Sequence, residues 1–407
     1  MGITARAARL TALLGIAALV AACGSSGGAA DSAAPTASGP TTASRSPSSP
    51  SPSGPTTPAS APLRAGERFL DLTIPKAYEP VAPNGGKDEY RCFLLDPKLT
   101  ADTFVTGVQV LPGRPAIVHH AIVFRVAPGD VPGAQAADVR DPGTGWTCFG
   151  DAGIQGRNGA QAVRSLDSAP WLAAWAPGGG ESVFGAGTGV RLAVGSRLVL
   201  QVHYNLRAGA TPDRSGLRLR LASGRLALRP LETMLLVAPV ELPCPSGQSG
   251  PLCDRENAVL DLMHRFGPEA GTTVAGLQLL CDGTLGAVRA GPTQHCDRRV
   301  QQSIVVRAVA GHMHLLGRSI KVELDPGTAK ARTLLNRAVW DFDNQRATPL
   351  PRPVRVGPGD TLRVTCTHDA GLRRLVPELR SELPRYVTWG EGTSDEMCLG
   401  IVIYTRS

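Results

Sequence analysis

The sequence lacks the short motifs by which many enzyme classes are recognised. It contains no P-loop, no Gly-rich dinucleotide turn in a βαβ context and no H-E-x-x-H zinc motif. Its G-x-S-x-G match spans residues 24–28, without the strand-turn-helix context of a hydrolase nucleophile. These absences argue against phosphate-binding, dinucleotide-dependent, metalloprotease and serine hydrolase functions.

The chain also lacks a basic block interleaved with aromatic residues, which make up only 4% of it. Its formal net charge of +8 comes mainly from arginines scattered along the chain. This distribution favours a solvated surface and argues against nucleic acid as a partner. After residue 22 no apolar run is long and uninterrupted enough to cross a bilayer. The sequence leaves the oligomeric state open.

The N-terminus has the features of an export signal. Arg6 and Arg9 precede an apolar stretch over residues 10–20, and the following V-A-A-C ending at Cys23 looks like a bacterial lipobox. We predict a lipoprotein signal over residues 1–22, with Cys23 lipidated and the protein anchored to the extracytoplasmic face of a bacterial membrane. An ordinary secretory signal cut near the same place is the alternative. Residues 23–63 are rich in Ser, Pro and Thr, which predicts a disordered linker.

The chain contains many cysteines, but their spacing excludes some kinds of cysteine site. Eight cysteines follow Cys23 and none forms a C-x-x-C pair, so neither a zinc ribbon nor a thioredoxin-like site is indicated. An even number of cysteines in an exported chain predicts up to four disulfides. The spacing alone leaves their pairing open.

From Arg64 onward the chain consists of short β-like runs separated by Gly, Pro and Asp. Many runs alternate apolar with polar residues or are rich in β-branched residues, and helical periodicity is confined to short pieces such as residues 255–267. We therefore predict an all-β fold of antiparallel β-sandwiches. One sandwich would be unusually large for this length. We predict two, over residues 64–229 and 230–407, with the seam near residues 228–231.

Eight histidines are present, and five of them lie within or beside apolar strand-like runs. His312 and His314 are two residues apart, so on a strand both rings project from one face and can bind one metal ion. The alternative is a pair of half-buried histidines that are hydrogen-bonded to the backbone. Three others lie in polar, loop-like contexts, where a solvated side chain is predicted: His264, His295 and His368.

The other strand histidines raise a geometric question. His203 lies alone in an apolar, alternating strand, where a hydrogen-bonded core residue is the alternative to a metal ligand. His119 and His120 are adjacent, and neighbouring residues of a regular strand point to opposite faces. Both can reach one ion only if a bulge or twist bends the strand, or if the rings bind through different nitrogens. Otherwise one ring faces solvent and the other is buried against a carbonyl.

Met397 adds a different kind of donor. Imidazole suits several borderline metals, copper among them, whereas a thioether suits the soft Cu(I) ion and is a poor ligand for zinc or magnesium. Met397 immediately precedes Cys398, and a disulfide at Cys398 would hold the methionine's backbone in place. A methionine at the start of a strand is otherwise ordinary core filling.

In their order along the chain, these motifs resemble the copper type II, ascorbate-dependent monooxygenases. That family includes dopamine β-hydroxylase and the peptidylglycine α-hydroxylating monooxygenase. The resemblance spans roughly residues 67–404. The motifs that carry it are "DEYRC" (88–92), "VHHAIVF" (118–124), "AAWAPGG" (173–179), "LVLQVHYNL" (198–206), "GHMHLLG" (311–317), "TCTHD" (365–369) and "GTSDEMC" (392–398).

The resemblance implies two jelly-roll-like β-sandwich domains that face each other across a cleft, each with one copper ion. It implies that His119, His120 and His203 bind the first, electron-donating copper. Tyr90 and Gln201 match positions near that copper.

The resemblance also implies that His312, His314 and Met397 bind the second copper and are the catalytic residues. Two disulfides match those of the family. The expected pairs are Cys92 with Cys148 and Cys366 with Cys398 from the resemblance, and Cys244 with Cys253 and Cys281 with Cys296 from their proximity in the sequence.

The activity that the resemblance implies is hydroxylation of a C–H bond of a small organic substrate by dioxygen, with a one-electron reductant such as ascorbate. Ala310 stands where the peptide-hydroxylating member has an arginine that binds a substrate carboxylate, and Leu399 and Ile401 replace its Asn and Tyr. We therefore predict a more apolar substrate pocket. The alternative function is a surface lipoprotein that binds or stores copper without catalysis.

Overall fold

The computed structural model describes residues 60–154, 169–286 and 288–407. The predicted signal peptide, the predicted lipidation site Cys23 and nearly all of the predicted linker lie outside the described residues. None of the described helices is long and apolar enough to span a membrane. Thr57–Ser407 is one compact unit. The predicted division into domains near residue 230 stays a prediction.

Most regular structure in the described residues is β-strand, which confirms the predicted all-β class. In chain order the strands of the first half are β1 (Glu67–Thr73), β2 (Asp88–Leu95), β3 (Thr103–Leu111), β4 (Val118–Val126), β5 (Trp146–Thr147), β6 (Trp171–Trp175), β7 (Ser182–Val183), β8 (Thr188–Leu192), β9 (Arg197–Asn205), β10 (Gly216–Ser223) and β11 (Arg229–Pro230). Those of the second half are β12 (Glu232–Val237), β13 (Glu241–Leu242), β14 (Thr293–Arg299), β15 (Ile304–His312), β16 (Gly317–Leu324), β17 (Arg332–Arg337), β18 (Thr348–Val356), β19 (Thr361–His368), β20 (Val387–Thr388) and β21 (Leu399–Arg406).

These strands form sheets that each draw on one half of the chain. The first half contains a sheet in the order β1-β10-β3-β8-β11, with β7 beside β3, and a sheet in the order β5-β2-β9-β4-β6. The second half contains sheets in the orders β12-β21-β15-β18 and β14-β19-β16-β17, and the short pair β13-β20. The pairings are antiparallel apart from the two-residue contact of β11 with β8, which is parallel.

Each half has an apolar core between its two large sheets. Leu219 of β10 and Leu200 of β9 come from facing sheets of the first half and belong to one buried cluster. In the second half, Val309 of β15 and Val322 of β16 share another. Burying one such side chain stabilises the fold by about 1.5–3 kcal/mol. A Cβ atom at Gly311 would lie 2.8 Å from the Ile320 side chain, so the close approach of the two sheets there depends on glycine.

The described residues also contain three α-helices: α1 (Val131–Arg140), α2 (Arg255–Phe266) and α3 (Pro268–Asp282). α2 is the helix that the periodicity predicts. Its first turn is capped by the Asp254 side chain, which accepts the Asn257 backbone N–H at 2.9 Å. α1 and α3 were not predicted, because both contain glycine within the helix and neither has a strong apolar stripe.

Four disulfides are present, and they are the expected pairs: Cys92–Cys148, Cys244–Cys253, Cys281–Cys296 and Cys366–Cys398. The last of these joins β19 to the start of β21, in the facing sheet of the second half. It therefore ties the segment that contains Met397 to the sandwich core.

Removing the Cys366–Cys398 bridge by a double serine substitution should destabilise the protein and loosen the segment around Met397. The bridge closes a loop with a sequence separation of 32, for which chain entropy predicts a loss of about 3–4 kcal/mol in the free energy of unfolding. Urea unfolding measures this loss. A matched control is the double serine variant of Cys244 and Cys253, whose bridge closes a loop with a sequence separation of only 9 and should therefore cost less stability. An equal or larger loss of stability in this control would contradict the prediction.

Candidate metal centre

Three histidines of the first half meet at one point. The ring nitrogens of His119, His120 and His203 include one atom from each residue that all lie within 4.8 Å of one another. Nδ1 of His203 lies 3.2 Å from Nδ1 of His119 and 3.2 Å from Nδ1 of His120. This arrangement suits three donors to a single metal ion.

A β-bulge explains how adjacent histidines reach the same point. Along β4, Val118 pairs with Tyr204 of β9, and His120 pairs with His203, so His119 is an extra residue without a direct partner. A bulge bends its strand and redirects the side chains on either side. The strict alternation that would send the two rings to opposite faces is therefore broken here.

Asp88 and Tyr90 determine which nitrogen of His203 is free. Nε2 of His203 lies 2.9 Å from the Asp88 carboxylate, to which its N–H donates a hydrogen bond. Nδ1 therefore carries the lone pair. The Tyr90 hydroxyl is 3.0 Å from that Nδ1, but it donates its own proton to the Glu391 carbonyl. The Tyr90 ring stacks on the His203 ring at 4.2 Å. The lone pair of His203 Nδ1 is thus directed at His119 and His120.

The first histidine group is held in the neutral state. Burial lowers the pKa of His119 and of His120 well below the usual value, and charge on neighbouring histidines would lower it further. Burial also lowers the pKa of His203, although the hydrogen bond to Asp88 opposes this effect. Because neutral imidazole is the form that binds metals, the group is ready for a metal ion near pH 7.

The second pair of histidines lies at the end of β15. The ring centroids of His312 and His314 are 5.1 Å apart. Nδ1 of His312 is 2.6 Å from the Gln345 side-chain oxygen, and Nδ1 of His314 is 3.1 Å from the Asp395 carbonyl. These acceptors place the ring protons on Nδ1 and leave Nε2 unprotonated in both rings. Nε2 of His314 is buried and has no hydrogen-bond partner among the described residues.

The electrostatic environment of His312 favours the neutral ring as well. Burial and the nearby His314 lower the pKa of His312 to about 3. A buried lone pair without a donor is unfavourable unless another group fills the position. The orphaned Nε2 of His314 therefore marks a place where a metal ion would be stabilised.

Met397 lies beside this pair in the fold. It precedes β21, whose first residue, Leu399, pairs with His312. The neighbouring Glu396 carboxylate accepts the backbone N–H groups of His314 at 2.8 Å and Leu316 at 2.5 Å. Glu396 thus connects the methionine segment to the turn that follows β15. The Met397 side chain is buried in the second core.

The solvated role predicted for His368 is wrong. Its side chain is buried at the end of β19, 3.4 Å from the Glu396 carboxylate, and its Nε2 lies 3.2 Å from the Met397 carbonyl. Burial alone would raise the pKa of Glu396, but the contact with His368 and the His314 backbone N–H lower it below its usual value. The buried Glu396 carboxylate needs such partners. The residues around His368 in the sequence are polar, so the sequence gives no sign that His368 is buried as one of these partners. His264 and His295 are exposed, as predicted.

The two histidine groups are in contact with each other. The rings of His120 and His312 lie 5.9 Å apart, and His119 stacks on Phe342 of the second half at 5.3 Å. The five strand histidines therefore form one continuous cluster at the junction between β4, β9 and β15. Of the other two residues predicted near the first group, Tyr90 contacts His203, whereas Gln201 donates instead to the Asp151 carbonyl at 3.0 Å.

Several residues that orient these rings were missed in the sequence. Asp88, Gln345 and Glu396 are polar residues in or beside ordinary strand and loop segments. Asp88 lies within the "DEYRC" motif and Glu396 within "GTSDEMC". Their position inside motifs that resemble the family is the sequence feature that could have identified them. Gln345 carries no such signal, because it comes from a loop far from His312 in the sequence.

Comparison with solved structures gives only weak likenesses. The major capsid protein P2 of bacteriophage PM2 is 10% identical, with 83% of this chain and 97% of that chain covered and a TM-score of 0.27. An allantoicase is 12% identical, with 80% and 90% covered and a TM-score of 0.17. A comparison with curated proteins gives no match.

Comparison with protein families gives a match to one of them. Residues 289–407 match the family described as copper type II ascorbate-dependent monooxygenase, C-terminal domain. The matched region contains His312, His314 and Met397, and the first histidine group precedes it in the chain. The match supports the family resemblance seen in the sequence: residues 289–407 are similar to the C-terminal domain of the copper type II, ascorbate-dependent monooxygenases.

Proposed function

We propose that this protein is a copper-dependent monooxygenase that hydroxylates a C–H bond of a small organic substrate, using dioxygen and a one-electron reductant such as ascorbate. The observation that carries the proposal is the buried Nε2 of His314, which has no hydrogen-bond partner in the described part of the chain. It lies beside His312, inside the region that matches the family. We further propose two copper ions per chain, one at each histidine group.

The donor sets fit copper. The first group, His119, His120 and His203, offers three neutral imidazoles, a set that suits both oxidation states of copper. The second group would combine His312 and His314 with the Met397 thioether, a soft donor that favours Cu(I). Copper bound at these residues would supply one-electron transfer and the activation of dioxygen.

The surrounding residues orient each ring before any metal arrives. In each ring, the N–H that faces away from the proposed metal donates a hydrogen bond. The acceptors are the Asp88 carboxylate, the Gln345 side chain and the Asp395 carbonyl. Such partners fix the tautomer and the orientation of a ligating histidine. The proposed ligands therefore need little rearrangement on binding.

Apolar side chains beside His312 support a substrate that lacks charge. Across the β15-β21 pair, His312 faces Leu399 and Ala310 faces Ile401. Because side chains alternate along strands, these four residues lie on the same face of the sheet. Gly311 and Gly400 face the opposite way, toward the core. We propose that the substrate binds on this apolar face, next to His312.

Removing one ligand from each group should separate the two copper sites. The wild-type protein should bind two copper ions per chain, and His203→Ala and His314→Ala should each bind one. His314→Ala should also abolish reductant-dependent oxygen uptake, because it removes a ligand of the site proposed to react with dioxygen. Metal analysis and an oxygen electrode give these values.

The control for this pair is His295→Ala, which removes an exposed histidine from β14 and should leave both copper ions and oxygen uptake unchanged. Failure of the reduced wild-type protein to bind any copper would disprove the proposal. Two bound copper ions without oxygen uptake for any tested substrate would favour a copper-binding protein without catalysis.

Ile401→Asn should weaken the reaction of apolar substrates, because a polar amide replaces apolar contact area beside His312. We expect kcat/KM to fall by about tenfold or more for small alkyl and aryl substrates, since one apolar contact in a pocket is worth about 1–3 kcal/mol. Ile401→Val keeps the surface apolar and should change kcat/KM little. Equal losses in both variants would indicate that this face does not bind the substrate.

A further inference from the structure

One loop contacts both histidine groups. We call residues 390–397 the bridging loop. Toward the first group, its Glu391 carbonyl accepts the Tyr90 hydroxyl and its Thr393 hydroxyl donates to Asp88 at 2.7 Å. Toward the second group, the Asp395 carbonyl lies 3.1 Å from Nδ1 of His314. The loop ends at Met397, so it carries a proposed ligand of one group and contacts partners of the other.

The contact with Asp88 is the most specific of these. Oδ1 of Asp88 receives Nε2 of His203 at 2.9 Å, the Thr393 hydroxyl at 2.7 Å and the Asn205 amide at 3.4 Å. The Asn205 amide also donates to the Thr393 hydroxyl at 2.8 Å. Thr393 therefore both donates and accepts, which fixes the direction of its hydroxyl proton toward Asp88.

Because its members are largely buried, this hydrogen-bond network keeps its partners. His203 is fully buried, and Thr393 is only 2% exposed, so water does not readily replace either partner. The Asp88 carboxylate accepts a hydrogen bond from Thr393 as well as from His203, so a second donor fixes the position of the acceptor that faces His203 Nε2. The consequence for His203 is a proton on Nε2 and a lone pair on Nδ1.

The bridging loop is itself held rigidly. The Asp395 carboxylate pairs with the Arg265 guanidinium of α2 at 2.7 and 2.9 Å, and it also accepts the Gly392 N–H at 3.1 Å. A Cβ atom at Gly390 would lie 2.8 Å from Leu262, and one at Gly392 would lie 2.7 Å from the Asp395 carboxylate. A side chain at either position would displace these neighbours, so the close packing of the loop keeps Thr393 beside Asp88.

We propose that Thr393 and Asp88 are positioning residues for the first histidine group. Thr393, from the second half of the chain, holds the Asp88 carboxylate, and Asp88 holds His203 in the tautomer whose Nδ1 faces His119 and His120. The loop that carries Met397 thus also sets the geometry of the other group. The relevance of this arrangement to copper rests on the proposed function, but the tautomer of His203 does not.

The test begins with the metal-free protein. Labelling the histidines with nitrogen-15 allows NMR to report which nitrogen of His203 carries the proton, with His203→Ala used to assign its signals. The wild-type protein should show a proton on Nε2. Thr393→Val, which removes the hydroxyl at nearly constant volume, should give a mixture of the two tautomers, and Thr393→Ser, which restores the hydroxyl, should return the wild-type signal.

The second measurement is Cu(II) affinity in competition with a chelator, in a His314→Ala background where the first group is the remaining proposed copper site. Thr393→Val should weaken binding by about tenfold, the lower end of the range for loss of a partner of a metal-bound histidine. Thr393→Ser should bind nearly as tightly as the parent protein. A purely structural role for Thr393 would lower thermal stability without moving the tautomer.

An unchanged His203 tautomer and unchanged affinity in Thr393→Val would overturn the inference. Should that variant fail to fold, Asp88→Ala provides the same test, because it removes the acceptor of the Nε2 proton and should give a mixture of the two tautomers. An unchanged tautomer in Asp88→Ala would equally overturn it. A tautomer shift in a protein that binds no copper would support the positioning role while disproving the proposed function.

Discussion

A histidine binds a transition metal only through a nitrogen that has lost its proton, and the other nitrogen then needs an acceptor. The metal-binding geometry proposed for this protein depends on that requirement. His203 meets it through Asp88, His312 through Gln345 and His314 through the Asp395 carbonyl. Each acceptor comes from a different part of the chain. The rings can therefore be correctly directed only when the whole fold is assembled.

The β-sandwich architecture brings these parts together at one place. β4 and β9 contain the first histidine group. In the second group, His312 is the last residue of β15 and His314 follows that strand. The bulge at His119 provides the local departure from regular strand geometry that the first group needs. The ring centroids of His120 and His312 lie 5.9 Å apart, so the two histidine groups adjoin each other within the fold.

Two buried acidic residues stabilise the segment next to the histidine cluster. Glu396 is fully buried and would be unfavourable as an ion without partners, but the His314 and Leu316 backbone N–H groups and His368 supply them. Asp395 is matched by Arg265 in the same way. These two acidic residues precede Met397 directly. Their fixed positions explain how a segment without regular secondary structure can hold Met397, a proposed ligand, at a defined place.

Local sequence patterns determined the strand-rich class, the helix at residues 255–266 and the candidate ligands. Alternation, β-branched composition and helical periodicity act over a few residues and are visible in a single chain. The order of the histidine motifs, with Met397, was enough to indicate the family. The helix at residues 268–282 was missed because its glycines weaken the local preference, and buried residues such as Val274 and Leu277 supply its stability instead.

Only the tertiary structure decided how the histidines are oriented. The bulge at His119 depends on pairing with a strand that lies about 80 residues away, and no local pattern encodes that register. The burial of His368, next to polar residues in the sequence, follows from its contact with Glu396. Residue types thus determined which side chains could bind copper. Long-range hydrogen bonds determined which nitrogens are free to do so, because a ring proton goes to whichever acceptor the fold places beside it.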